Sequence, residues 1–312
     1  MRNAWWGLGI GLGTLALGGA ALQAAIMING PAVLDTLDRI AGGKRGAERL
    51  ASVSTGPDPA QKLAVWGAQG SRAEERRPVL LFVHGGSWNS GDPDNYGFIA
   101  RAFVAEGFVV VLAGYRLVPE GKYPAMIEDT AAAVGWTREN IARHGGDPDM
   151  IVLAGHSAGA YNVAMAALEP RWLAGQGVPD KSVAGVIGLS GPYDFYPFDS
   201  DSTKAAFGEA SDPEATQPLA HVRGDAPPFL LVHGEADNLV KIRNSRELAR
   251  RIEMEGGTVD TLFLREANHN DPLLALAAPW RSRRPVMGRI VRFAREAAGT
   301  RSVSVSVQAE TR

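Results

Sequence analysis

The chain has 312 residues, 32 Lys and Arg against 34 Asp and Glu, a formal net charge of −2, 45% hydrophobic residues and no cysteine. These figures exclude a disulfide scaffold, a Cys-ligated zinc site and a cysteine nucleophile, and they are too apolar for a disordered chain. A near-neutral charge also argues against a nucleic-acid binder held by phosphate contacts, and the length suits one large domain or two small ones.

No charged residue occurs between Asn3 and Leu34. Residues 4–28, AWWGLGIGLGTLALGGAALQAAIMI, would span ~38 Å as a helix, more than the ~30 Å of a hydrocarbon core. Arg2 supplies a minimal positive flank. Residues 1–34 are therefore expected to be a signal peptide or an uncleaved membrane anchor, which places the rest of the chain on the periplasmic or extracellular side. A buried helix of a soluble domain is the alternative. Residues 35–56 are expected to be a linker, with turns at Gly42-Gly43 and Gly56-Pro57.

Lys62–Trp66 alternates weakly and reads as an edge strand. Val79–Val83 and Phe108–Ala113 are short apolar runs fit for buried strands, with a helix over Tyr96–Glu106 between them. Pro124 opens a helix that runs to His144, and Gly145-Gly146 stops it. A strand over Met150–Ala154 precedes a helix over Ala158–Leu168. Strands follow at Val183–Leu189, Phe229–Val232 and Val259–Leu264, with a helix over Val240–Glu255 and a last one over Val286–Ala298. This alternation predicts an α/β fold: a mainly parallel central sheet with helices on both faces, preceded by the N-terminal hydrophobic helix. The globular domain is set at 57–298, and 299–312 is a polar tail.

Gly155-His156-Ser157-Ala158-Gly159 sits between a strand and a helix. This G-x-S-x-G context makes Ser157 a candidate nucleophile on a tight elbow, where larger flanking side chains would clash. His84-Gly85-Gly86-Ser87-Trp88 follows the strand Val79–Val83. Its small residues let backbone amides of Gly85, Gly86 and Ser87 turn inward and hold an oxyanion together with the amide of Ala158.

An elbow serine needs a base and a carboxylate, in the chain order Ser, acid, His. Three histidines lie downstream: His221 in an unsupported loop, His233 at a strand end, and His269 in a loop after the last strand. His269 is preferred because its loop can fold over the serine. Asp237, in the loop after Phe229–Val232, is the preferred acid, with Asp194 the competitor and Glu235 and Asp271 weaker. His84 and His156 suit structural hydrogen bonds. No H-E-x-x-H or other metal spacing occurs, so no metal is expected.

With the HGGxW and GHSAG motifs in place, the chain resembles serine hydrolases of the α/β-hydrolase superfamily, in the esterase and lipase group. Gly145-Gly146-Asp147-Pro148-Asp149 up to Gly159 is similar to the segment before the elbow in hormone-sensitive-lipase-like esterases. The HGGxW form, with Tyr115-Arg116-Leu117 and Tyr123-Pro124-Ala125, is closer to the kynurenine formamidase, isoprenylcysteine methylesterase and feruloyl-esterase-like branch. The resemblance spans residues 57–298. It implies Ser157, Asp237 and His269 as a triad and the amides near Gly86, Ser87 and Ala158 as an oxyanion hole. Ser87 stands where many relatives have a third glycine, and Asn268 replaces the usual glycine before the histidine.

The resulting expectation is a carboxylic ester hydrolase that works through an acyl-enzyme without a cofactor. Its partners are a small-molecule ester, no nucleic acid, and a membrane if the N-terminal segment is uncleaved. An arylformamidase-like amidase and an inactive, membrane-tethered hydrolase fold are the alternatives. Trp88, Tyr161 and Tyr193 are candidates for the substrate pocket, with Tyr96, Phe195, Tyr196, Phe198 and Phe207 as further wall or core aromatics.

Overall fold

Each apolar run read as a strand lies in one eight-stranded sheet in the computed structural model, which describes residues 29–43, 46–278 and 280–310. The strands are β1 (Ala47–Ser54), β2 (Lys62–Ala68), β3 (Arg77–Val83), β4 (Val109–Ala113), β5 (Gly146–His156), β6 (Val183–Leu189), β7 (Phe229–Gly234) and β8 (Val259–Leu264). Their spatial order is β1-β2-β4-β3-β5-β6-β7-β8. β1 pairs antiparallel with β2, and β2 with β4; every pairing from β4 to β8 is parallel.

The helices are α1 (residues 29–40), α2 (Gly97–Val104), α3 (Ala125–Asn140), α4 (Ala158–Leu168), α5 (Arg171–Ala174), α6 (Asp201–Phe207), α7 (Arg243–Met254), α8 (Asp271–Leu274) and α9 (Val286–Glu310). Side-chain alternation along the strands separates two cores. Val79, Leu81 and Val83 of β3 pack with residues of α3, α4 and α7. Leu80 and Phe82 pack on the other face with residues of α1, α2, α8 and α9. Both faces of the central parallel strands are thus covered, which is why β4, β6 and the inner parts of β3, β5 and β7 are unbroken apolar runs rather than alternating ones.

Three sequence expectations need correction. Residues 35–40 and 47–54 are not linker but the second half of α1 and β1, so the folded domain starts well before residue 57. β1 is the edge, and its sequence AERLASVS has no apolar run because one side of an edge strand stays in water. β2, expected at the edge, is consequently internal. The final helix does not stop at Ala298 but continues to Glu310. Gly299 costs about 1 kcal/mol inside a helix, which is too little to end one that is already propagating. Of the proposed signal or anchor at 1–34, residues 1–28 lie outside the described residues, and 29–34 are the first half of α1.

Helix α1 is fastened to the domain by buried charge. Asp35 and Asp38, three residues apart on one helix face, both reach Arg101 of α2. Arg101 Nε donates to Asp38 at 2.7 Å, and a terminal nitrogen donates to Asp35 at 2.6 Å. The amide of Ala278 and the guanidinium of Arg281 complete the shell around Asp38, at 2.6 and 3.3 Å. A buried cluster of this kind contributes more to fixing where a helix sits than to net stability.

The chain moves outward from β3 to β4 and then returns to place β5 on the other side of β3. The loops after β3 and β5 therefore diverge, opening a crevice at the carboxyl ends of the strands.

Candidate active site

Strand β5 ends at His156 and α4 begins at Ala158, so the whole reversal is made by Ser157. It holds φ 54° and ψ −121°, a conformation that costs a non-glycine residue about 1–3 kcal/mol. The flanking glycines explain how the turn closes. A Cβ on Gly155 would strike the carbonyl of Gly159. One on Gly159 would strike the carbonyls of Val83 and His84 at the end of β3. The elbow is thus pressed against the neighbouring strand, and Ser157, 7% exposed, opens onto the crevice.

His269 lies in the loop after β8 and lines the same cavity as Ser157. Its Nδ1–H donates to Oδ2 of Asp237 at 2.7 Å, which leaves Nε2 as an acceptor. Asp237, in the loop after β7, is buried. Its Oδ1 accepts the amides of Leu239 and Val240, each at 2.9 Å. Burial alone would raise this carboxyl, but hydrogen bonds from His233 and His269 outweigh it and hold the group well below the usual carboxylate range. A permanently ionised carboxylate therefore faces the imidazole.

The structure thus puts Asp237 and His269 in hydrogen-bond contact at the ends of neighbouring strands β7 and β8, with Ser157 and His269 on the wall of one cavity. A hydroxyl, an imidazole and an oriented carboxylate in this relation can activate the hydroxyl as a nucleophile.

The competing residues are occupied elsewhere. Asp194 pairs with Arg243 at 3.3 Å and Glu235 with Arg246 at 3.3 Å. Asp271 accepts the amide of Asn268 at 2.6 Å, closing the loop that carries His269. His221 is held by Glu169 at 2.9 Å.

His233, at the end of β7, does more than end a strand. Its Nε2 faces two acceptors, Oδ2 of Asp237 at 3.1 Å and the carbonyl of Val240 at 2.8 Å, so this nitrogen carries the proton. Its Nδ1 meets the hydroxyl of Ser245 at 2.8 Å. Sequence reasoning assigned no such role, although the four-residue spacing from His233 at the strand end to Asp237 in the loop is a usable signal. His156 holds the His269 loop: its Nε2–H donates to the carbonyl of His269 at 3.1 Å. His84 donates from Nδ1 to the carbonyl of Gly85 at 2.7 Å and stacks on Tyr115. It stiffens the turn that carries Gly85, Gly86 and Ser87.

That turn has three successive residues at positive φ: Gly86 at 124°, Ser87 at 52° and Trp88 at 59°. Gly85, Gly86 and Ser87 line the cavity with Ser157. Ala158, as the first residue of α4, has an amide with no acceptor inside the helix.

A family model described as BD-FAE matches residues 69–252. The chain belongs to the BD-FAE family. The matched span contains the turn after β3, the elbow and Asp237, and it ends before His269. Esterase LipQ of Mycobacterium tuberculosis is 33% identical over 259 residues, covering 77% of this chain and 61% of that protein. Esterase LipC of the same organism is 32% identical over 241 residues, covering 70% of this chain and 59% of that protein. The chain spans about three fifths of the length of these curated relatives. Among solved structures, a truncated carbohydrate esterase from gut microbiota superposes with a TM-score of 0.69 at 20% identity, over 80% of this chain and 97% of that one. This likeness supports the α/β-hydrolase fold.

The aromatic residues expected at the pocket belong to the core of this BD-FAE domain. Trp88, Tyr161 and Tyr193 are buried on the α3–α4 face, and none lines the cavity. The left-handed backbone at Trp88 sends its ring towards α4, where Nε1 donates to Asn162 at 3.1 Å. Tyr161 and Phe207 pack edge-on against that ring at 5.4 and 4.8 Å. Of the aromatics considered from sequence, Tyr96 does border the cavity. Among the described residues, no group of His, Asp and Glu is placed to hold a metal ion.

Two buried histidines beside the site give the fold a defined response to acid. Burial pushes His84 from its ordinary 6.5 down to about 4, and His156 down to about 3. Between those values and 6.5 the unfolded chain binds protons that the folded chain refuses. Stability must therefore fall as pH drops from 7 towards 4, by up to ~1.4 kcal/mol per pH unit for each group. Thermal melts between pH 7 and pH 4.5 should show a steadily falling Tm; a flat or rising Tm would contradict this reading of the two imidazoles.

Proposed function

We propose that the protein is a serine hydrolase that cleaves carboxylic esters. The observation that carries the reading is Ser157, held at positive φ on the strand–helix elbow in the same cavity as His269, whose Nδ1 is fixed by Asp237. The esterase names of the M. tuberculosis relatives support it.

In this reading Nε2 of His269 takes the Ser157 proton as Oγ attacks the ester carbonyl. The negative charge on the tetrahedral oxygen is met by amides of Gly86, Ser87 and Ala158, each such donor being worth about 10²–10³ in rate. Collapse expels the alcohol, to which His269 returns the proton. Water then enters, loses a proton to His269 and attacks the acyl-Ser157 ester, regenerating the serine and releasing the acid. Asp237 stays ionised throughout, fixes the imidazole tautomer and stabilises the imidazolium. His233, itself bonded to the hydroxyl of Ser245, holds Asp237 in turn.

Ser157→Ala should lower kcat/KM on p-nitrophenyl butyrate by at least about 10⁴-fold while leaving the circular dichroism spectrum unchanged. The wild type should turn over that ester faster than a formanilide. An alanine variant with undiminished turnover would remove Ser157 from the mechanism, and a preference for the formanilide would favour the amidase.

The working location proposed for the domain is outside the cytoplasm. The uncharged segment over residues 4–28 supports this reading; among the described residues, no helix is long and apolar enough to cross a membrane. Alkaline phosphatase joined after Arg39 should be active in cells, whereas a cytoplasmic reporter joined there should be silent; the reverse pattern would place the domain inside.

A further inference from the structure

The cavity at Ser157 encloses about 970 Å³, near the upper end for small-molecule sites. Its polar lining comes mainly from strand ends and the loops that follow them, Ser157, His269 and the turn after β3, with Asn29 of α1 and Asp271 of α8. Its apolar lining comes largely from two helices that the catalytic reading does not use. Val33, Leu34 and Leu37 of α1 and Leu273 and Leu274 of α8 all border it, with Trp280 beside them.

The α1 contribution is built in. Asp35 and Asp38 on one face of the helix are tied to Arg101 by hydrogen bonds of 2.6 and 2.7 Å. With that face locked against α2, the adjacent positions 33, 34 and 37 are turned to the cavity. Leu34 is 8% exposed, whereas Ile40 at the end of the helix is 78% exposed.

The charges at the wall restrict the ligand further. Among the described residues, the lining holds the carboxylates of Asp92 and Asp271 and no Lys or Arg. Asp92 is paired with Lys62 at 2.8 Å, and Asp271 accepts the amide of Asn268 at 2.6 Å. An anionic substituent would meet no cation on this wall, and an ammonium group would have to compete for carboxylates already engaged.

We infer that α1 is the specificity wall of the site, and that the substrate is an uncharged ester carrying an alkyl arm that lies against Leu34, Leu37 and the α8 leucines. This inference rests on the ester-hydrolase reading above. It makes the cavity-facing side of α1, at Val33, Leu34 and Leu37, part of the binding machinery.

The test is the dependence of kcat/KM on acyl length for p-nitrophenyl acetate, butyrate, hexanoate and octanoate, using the full chain. Each CH2 that reaches the wall should raise kcat/KM by up to about fourfold, so the wild-type octanoate-to-acetate ratio should exceed ten. Leu37→Trp, which fills the space beside α1, should lower that ratio at least tenfold, and Val33→Trp should act in the same direction if Leu37→Trp fails to fold. Ile40→Ser, on the same helix but off the cavity, should leave the ratio within twofold. A wild type that hydrolyses acetate but shows no rise with length would overturn the inference and leave the hydrolase reading standing. Folded Leu37→Trp or Val33→Trp that kept the wild-type ratio would overturn it in the same way. A wild type that cleaves no ester of any length would overturn the hydrolase reading, and the inference with it.

Discussion

The geometry of the site depends on one tight connection, the single residue between β5 and α4. A parallel strand feeding a helix across one residue cannot be made with ordinary backbone angles, so Ser157 is driven to φ 54°. The strain is tolerated because the surroundings leave no alternative. Gly155 and Gly159 are in contact distance of each other's backbone, and the end of β3 presses on Gly159. Unbroken apolar strands on either side, buried on both faces, hold β5 in register. The loop after β3 is thereby brought beside the elbow, and the loops after β7 and β8 are carried to the same edge of the sheet.

The second organising element is a carboxylate shared by two imidazoles. Oδ2 of Asp237 accepts from both His269 and His233, while Oδ1 accepts two backbone amides. With so many donors the charge is stable despite burial, and the position of His269 follows from it. His156 fixes the other side of the base through the carbonyl of His269. His156 thus helps place His269, a link between the end of β5 and a loop 113 positions further along the chain.

Much of this was legible in the sequence, and the parts that were not have physical reasons. β6 begins and ends where its apolar run does, since burial on both faces leaves no polar residue to blur it. Edge strand β8 was readable despite Asp260 and Thr261, and α4 despite Asn162, because turn residues bound them. The elbow glycines and the strand-end positions of Asp237 and His269 were readable because tight turns and strand ends restrict composition. β1 was missed because an edge strand with one wet side carries no apolar run. Trp88, Tyr161 and Tyr193 were misplaced because sequence distance from a motif does not say which face of the sheet a ring will take. The left-handed backbone at Trp88 decided that. The cavity-facing side of α1 was hidden for another reason. Its leucines merge with the uncharged segment before it, and the meaning of Asp35 and Asp38 emerges only when Arg101 is brought to them from sixty-odd positions away.

The chemistry stands on Ser157 being the group that the elbow activates. Treating the folded full chain with an alkyl fluorophosphonate and mapping the adduct by peptide mass spectrometry measures this directly. The prediction is one adduct per chain, on Ser157, formed far more slowly when His269 is replaced by Ala. A folded chain that takes up no phosphonate, or takes it up on a different residue, would contradict it.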